Sequence, residues 1–419
     1  MARLTKEQLC QLMIENKVDK VWSWSKVNCF KNSWYEYYLK YIAKVKEDRA
    51  NSIYTTTGGI VHSILEDFYT GKIKYEQMDE NFEDGWTTAF DIAQLKFDRN
   101  NEEHNDKIAD KYYNDLKHFF AKHIPMKNKV VIEQFIKTMI GGNLFQGYID
   151  ACFKDDDGNI NIIDFKTSSI YKGKKAENEC GQLVVYALGV NQLGVPIDKI
   201  KIAWNFLKYV SVQVTQANGT VKIREIERAE LGEKLQANAK TWLKKCCSSV
   251  DEVDEYLKML LDTNDIKCLP EEVQKKYVIS DCYVYVPLTD DLIKTWTDDI
   301  LFNVKDIELR EKDYADHKAK GLSELDCSKA FWDSDEMVQK NSFYFSTLCA
   351  YSPALHLPYK AYLDRLEQQK NGEDTFGGLG GSDLDSSTVT ESVSTSNNQH
   401  SISQNDENSE IDLSWLDNL

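Results

Sequence analysis

The chain has 419 residues, 42% of them hydrophobic and 11% aromatic, enough to bury the core of one large domain or two modest ones. Its formal net charge is −17, but residues 371–419 hold ten acids and no Lys or Arg, so removing that −10 leaves −7 on the other 370 residues. This balance excludes a globally cationic binder of nucleic acid, and no apolar run approaches the roughly 18–20 residues of a membrane span.

The opening MARLTKEQLCQLM lacks the charged-then-apolar layout of a secretory signal, so a soluble, cytoplasmic chain is expected. Residues 1–125 read as mainly helical, with long charged and aromatic stretches and few breakers. The texture then changes from about Val130 to Ser168: VVIEQFIKTMI, NLFQGYIDACFK and NINIIDFKTSS predict three successive strands, with a turn at Asp155-Asp156-Asp157-Gly158. A helix over 175–193 follows, then a strand near Ile200–Gln213 and a hairpin through Asn218-Gly219 into VKIREIER. Residues 229–263 return to helical texture, 264–285 are mixed, and 286–318 predict another helix. After about Gln369 the composition collapses into Gly, Ser, Thr, Asn and Asp, which cannot bury enough apolar surface to offset its ordering entropy. The expected layout is an N-terminal helical segment (1–50), an α/β core (51–228), a mainly helical part packing on it (229–369) and a disordered acidic tail (370–419).

Three acids and a lysine stand out: Asp150, Asp164 and Lys166 within the β-rich stretch, and Glu66 far upstream of it. On a strand, residues two apart share a face, so Asp164 and Lys166 of IIDFKT point together while Phe165 points into the core. A hairpin through the DDDG turn brings Asp150, at the end of GYID, alongside them. Asp-x-Lys also occurs at Asp115–Lys117, Asp265–Lys267 and Asp316–Lys318, where a solvated helix face or loop is the plainer reading. Upstream, GGIVHSILE sets His62 and Glu66 four apart on one helical face; downstream, QLVVYA does the same for Gln182 and Tyr186. Carboxylates that hold a divalent cation, with a lysine beside them, suit phosphodiester hydrolysis, which must neutralise developing oxygen charge and activate a water.

Together these segments resemble the RecB-like branch of the PD-(D/E)XK nuclease superfamily. GGIVHSILE resembles its G-x-x-x-H-x-x-L-E helix, GYID and IIDFKT its two catalytic strands, and QLVVYA its Q-x-x-x-Y helix, over about Val21 to Val210. The resemblance implies an α/β fold with a mixed central sheet flanked by helices, as in restriction endonucleases, and a phage-type exonuclease-like activity on DNA. It implies that Asp150 and Asp164 bind Mg²⁺ or Mn²⁺ with help from Glu66 and His62, and that Lys166 positions or deprotonates the attacking water. Gln182 and Tyr186 would contact the DNA strand, and Lys172 and Lys174 its phosphate backbone. Glu133, in VVIEQF, matches an acidic position often present on the preceding strand, and its role stays open between chemistry and structure.

The similarity extends to SWSKVNCFKNSWYEYYLKYI and to FYFSTLCAYSPALHLPYK, which resemble the two ends of relatives that carry an iron–sulfur cluster. Here Ser33-Trp34 stand where Cys-Pro is expected, and Phe345-Ser346 and His356-Leu357 where further cysteines would lie. A [4Fe–4S] cluster needs about four thiolates. Cys29, Cys327 and Cys349 are wrongly spaced to supply them, so no cluster is expected; the ten scattered cysteines read as reduced thiols. Trp22, Trp24, Trp34, Tyr35, Tyr37, Tyr38 and Tyr41 alternate with lysines, which suits either a platform for single-stranded DNA or an ordinary helix core. The tip EIDLSWLDNL, with Leu413, Trp415 and Leu416, offers a docking peptide for a replication or recombination protein or an unremarkable terminus. The leading expectation is a metal-dependent DNA nuclease in recombination, repair or replication. The contrasting ones are a non-cleaving, nuclease-derived DNA-binding subunit and a scaffold recruited through its tail.

Overall fold

The computed structural model describes residues 4–49, 52–98 and 101–373. The tail tip with Leu413, Trp415 and Leu416 lies outside the described residues. Among them, no helix is long and apolar enough to cross a membrane.

A seven-stranded mixed sheet forms the centre, flanked by helices as expected: β1 (Val21–Ser23), β2 (Val130–Ile140), β3 (Asn143–Lys154), β4 (Ile160–Lys166), β5 (Ile200–Thr215), β6 (Val221–Glu227) and β7 (Tyr277–Val286). β2 runs antiparallel along one whole edge of β3. The other edge is shared: β1 pairs in parallel with Leu144–Gln146, and β4 pairs antiparallel with Ala151–Lys154. Residues 147–150, the GYID motif, therefore sit in a gap between β1 and β4 where that edge has no strand partner. β5 repeats the pattern, with β4 and then β6 along one edge and β7 along the other.

Helices α1 (Lys6–Asn16) and α2 (Trp24–Asn32) bracket β1, and α3 (Ile53–Tyr69) carries GGIVHSILE. α3 buries Ile53, Tyr54, Val61, Ile64 and Leu65 on one face of the sheet, in a core shared with Ala151, Ile163, Phe165 and Leu207. α4 (Gln77–Trp86) and α5 (Glu102–Lys122) extend that layer. α6 (Gly181–Gln192) covers the opposite face, packing Leu183, Val184 and Tyr186 with Ile162, Trp204 and Phe206. α7 (Leu231–Cys246) and α8 (Val250–Thr263) close a third core over Val210, Val212 and Val214. The long α9 (Asp290–Ala319) lays Trp296, Ile300 and Val304 onto the α6 side, and α10 (Leu357–Glu373) ends the described chain.

The three predicted strands form as expected, and their alternation fixes the register. The helix expected over 175–193 is broken at Cys180 into Lys174–Glu179 and α6. Packing explains the close approach there: a Cβ on Gly181 would meet Trp24 at 2.2 Å. β1 lies in a stretch read as helical; three residues are too few for an alternation to register, and β3 supplies their pairing. Trp22, Trp24, Tyr35, Tyr37 and Tyr38 are all buried, which favours the helix-core reading and removes them from any exposed platform. Lys20 and Lys31 of the same stretch are drawn to Glu311 and Asp299 on α9.

Candidate active site

The site forms where β3 and β4 part. Their ladder ends at Ala151 opposite Ile163, so Asp150 and Asp164 face each other at the first position beyond it. In place of a strand-to-strand bond, the Phe165 N–H donates to Asp150 Oδ2 at 3.0 Å. Phe165 itself is buried against α3, which holds Asp164 and Lys166 to the other side as the alternation predicts. Burying that ring contributes about 1.5–3 kcal/mol. The Lys166 ammonium lies 2.8 Å from Asp164 Oδ2. Burial opposes its charge most strongly, but Asp164, Tyr171 and Asp150 together outweigh it and the net shift of the lysine is upward.

α3 brings His62 to the same gap. Its Nε2 lies 3.0 Å from the Phe165 carbonyl oxygen. A carbonyl only accepts, so Nε2 carries the hydrogen and the Nδ1 lone pair is left facing Asp150 Oδ2, 3.6 Å away. Burial holds the imidazole below its ordinary range despite the nearby Asp164 carboxylate, which keeps this lone pair available.

Glu133 completes the group from β2. The β2–β3 register sets it opposite Asp150, yet its φ of 50° lies in the left-handed region, and the ladder skips it between Ile132 and Gln134. A non-glycine residue there is strained, and such positions gather at functional sites. Ligand atoms of His62, Glu133 and Asp150 all lie within 4.8 Å of one another. Burial and then the Asp150 charge push Glu133 up to about 7. Burial and then Asp164 push Asp150 well above the carboxylate range. Lone pairs and like charges thus converge on one half-buried spot, the electrostatics of a place for a cation. An imidazole nitrogen and two carboxylates are a donor set that divalent metals accept, at roughly 2.0–2.2 Å per bond.

The remaining candidates lie around this group. Glu66 is one turn along α3 from His62, on the same side, with Lys72 Nζ 3.7 Å from its Oε1. It bears on Glu133 through charge, though it stands outside the tight three-residue group. Gln182 donates to the Tyr186 hydroxyl at 2.9 Å. The Tyr186 ring lies so close over Gly147 that a Cβ there would meet Cε1 at 2.4 Å, so the glycine of GYID is required by this contact. Lys172 is exposed and paired with Glu225 at 3.2 Å, and Lys174 is exposed at the start of the helical turn after β4.

Glu133 is the member that sequence reasoning left open. An acid interrupting the apolar run VVIEQF, opposite GYID, was the available signal; its strained backbone has no local signature.

Acids, an imidazole and an ammonium gathered at one split sheet edge are the equipment of a hydrolytic nuclease. The sequence matches the PD-(D/E)XK nuclease superfamily over residues 21–268, more than half of the chain, and the protein belongs to that superfamily. No curated protein matches the sequence.

Proposed function

We propose that the protein is a metal-dependent deoxyribonuclease of the RecB-like branch, an exonuclease working from DNA ends in recombination, repair or replication, in a bacterial or phage-infected cytoplasm. The observation that carries this is the convergence of His62, Glu133 and Asp150 beside the Asp164–Lys166 pair. When bound, Mg²⁺ or Mn²⁺ would supply charge for the phosphate oxygens and acidity for a water. The imidazole in the donor set favours Mn²⁺ over Mg²⁺, which prefers oxygen ligands.

The chain's own groups do the rest. The Phe165 carbonyl fixes the His62 ring and its tautomer, and the Phe165 N–H fixes Asp150, so the backbone of one residue orients two metal-donor side chains. Lys166, held protonated by Asp164, offers hydrogen bonds to the scissile phosphate rather than taking a proton from water. In this reading Asp164 serves as a further metal carboxylate beside Asp150, and Glu66 assists through its charge on Glu133. Gln182, steadied by Tyr186, reaches the strand being cut, with Lys172 and Lys174 along its backbone.

The test is incubation of the pure protein with linear single- and double-stranded DNA, with Mg²⁺, Mn²⁺ or chelator, alongside Asp164→Ala and Lys166→Ala. Metal-dependent cleavage lost in both variants supports the enzyme. Binding without cleavage by the unaltered chain moves the reading to a non-cleaving DNA-binding subunit.

A further inference from the structure

Ser33, at the C-terminal end of α2, is fully buried against two residues 300 and 323 positions away. Its hydroxyl lies 2.7 Å from Asp333 Oδ2 and 2.9 Å from His356 Nε2. The Tyr359 N–H donates to His356 Nδ1 at 3.3 Å, so Nδ1 holds the lone pair and Nε2 carries the hydrogen. Nε2–H therefore donates to Ser33 Oγ, as does the Glu36 N–H at 3.0 Å, while the serine hydroxyl donates to Asp333. That exhausts the capacity of the hydroxyl: one bond given, two accepted. Asp333 Oδ1 also accepts from the Trp34 N–H at 2.6 Å. Ser33 and His356 are 0% exposed and Asp333 7%, so every bond is made away from water.

Weaker ties run parallel to this one. Arg49 Nη1 donates to the Phe345 carbonyl at 2.9 Å, and the Tyr351 hydroxyl to that of Val45 at 2.9 Å. What they hold is next to the site: α2 packs Trp24 over Gly181 of α6, and β1 pairs with β3 directly before Gly147.

Ser33 and His356 also occupy the positions where cluster-binding cysteines would stand. The side chains present do not fit such a cluster. Among the described residues, no cysteine belongs to a group of three His, Cys, Asp or Glu donors within 4.8 Å of one another. Ser33 has no remaining valence for a metal.

We propose that Ser33, Asp333 and His356 form a metal-free latch through which the C-terminal segment 333–359 holds β1 and α2 against the catalytic strand. Its role in cleavage rests on the nuclease reading; its role in holding the chain together does not. The latch residues are positioning residues, remote from the reacting atoms.

The experiment is native-state hydrogen exchange on the full chain, comparing the unaltered protein with Ser33→Ala, His356→Ala and His356→Gln, together with iron and acid-labile sulfide analysis. Ser33→Ala is the mildest change and keeps the variant folded. Its amides in 21–42 and 344–356 should exchange at least tenfold faster, since three buried hydrogen bonds are lost and tenfold is about 1.4 kcal/mol, while 200–215 stay unchanged. His356→Gln, which retains an N–H donor, should lose less protection than His356→Ala. Stoichiometric iron and sulfide, unchanged exchange in 21–42, or equal effects of the two His356 variants would overturn the proposal. An unaltered chain that cuts no DNA under any metal would instead overturn the nuclease reading and leave the latch standing.

Discussion

Two charge clusters in this molecule each set an aspartate beside a histidine, to opposite effect. In one, Arg228 donates to the Leu207 carbonyl at 2.7 Å and to Asp281 Oδ1 at 2.5 Å, with His123 Nδ1 3.2 Å from Oδ2. Burial pushes Asp281 up, but His123 and Arg228 outweigh it and leave the carboxyl below its ordinary range. In the other, Glu133 and Asp150 are raised by burial and by neighbouring carboxylates, and Glu133 is strained as well. The first cluster is complete within the protein and holds it together. The second is held at the expense of stability, as the proposed metal site requires.

Breaking the second cluster should cost chemistry and spare the fold. Asp150→Asn is expected to lower DNA cleavage on the order of a thousandfold, about 4 kcal/mol of transition-state stabilisation. Thermal melting of the same variant should show a gain of about 0.5–2 kcal/mol, because a repelled buried charge is gone. Arg228→Met should do the reverse: leaving Asp281 buried without its cation costs about 3–5 kcal/mol in denaturant unfolding, while the folded fraction still cuts.

Filling the cluster should sharpen the contrast. Mn²⁺ at about 100 times its dissociation constant should raise the unfolding free energy by about 2.7 kcal/mol, and Glu133→Gln should remove most of that gain. A melting series with and without Mn²⁺ reads both.

The smallest effect concerns pH. Burial raises Asp333 from 3.8 to about 7. A carboxyl raised in the folded state favours folding fully below its unfolded value, and that contribution fades as pH climbs through the folded one. Asp333→Asn cannot ionise, so its melting temperature should gain on that of the unaltered protein between about pH 5 and about pH 8. A difference that does not vary over this range would contradict the assignment.

Much of this was legible in the sequence for specific reasons. Alternation in IIDFKT put Asp164 and Lys166 on one side and Phe165 on the other, and the DDDG turn set Asp150 beside them. The i, i+4 spacing put His62 and Glu66 on one side of α3. What stayed hidden depends on contacts between distant residues. The split edge of β3 arises only once β1, from the first 25 residues, pairs with it. The strain at Glu133 belongs to a register, and Ser33 meets His356 across 323 positions. The aromatics of Trp22–Tyr41 carried the composition of a binding platform, but burial decided their role, and burial depends on what covers them.

The most direct test is an anomalous-scattering map from crystals of the protein grown with Mn²⁺. One peak is expected at roughly 2.0–2.3 Å from His62 Nδ1 and from carboxylate oxygens of Glu133 and Asp150. A Mn²⁺ peak elsewhere, with these three side chains unbridged in a preparation that cuts DNA, would contradict the account.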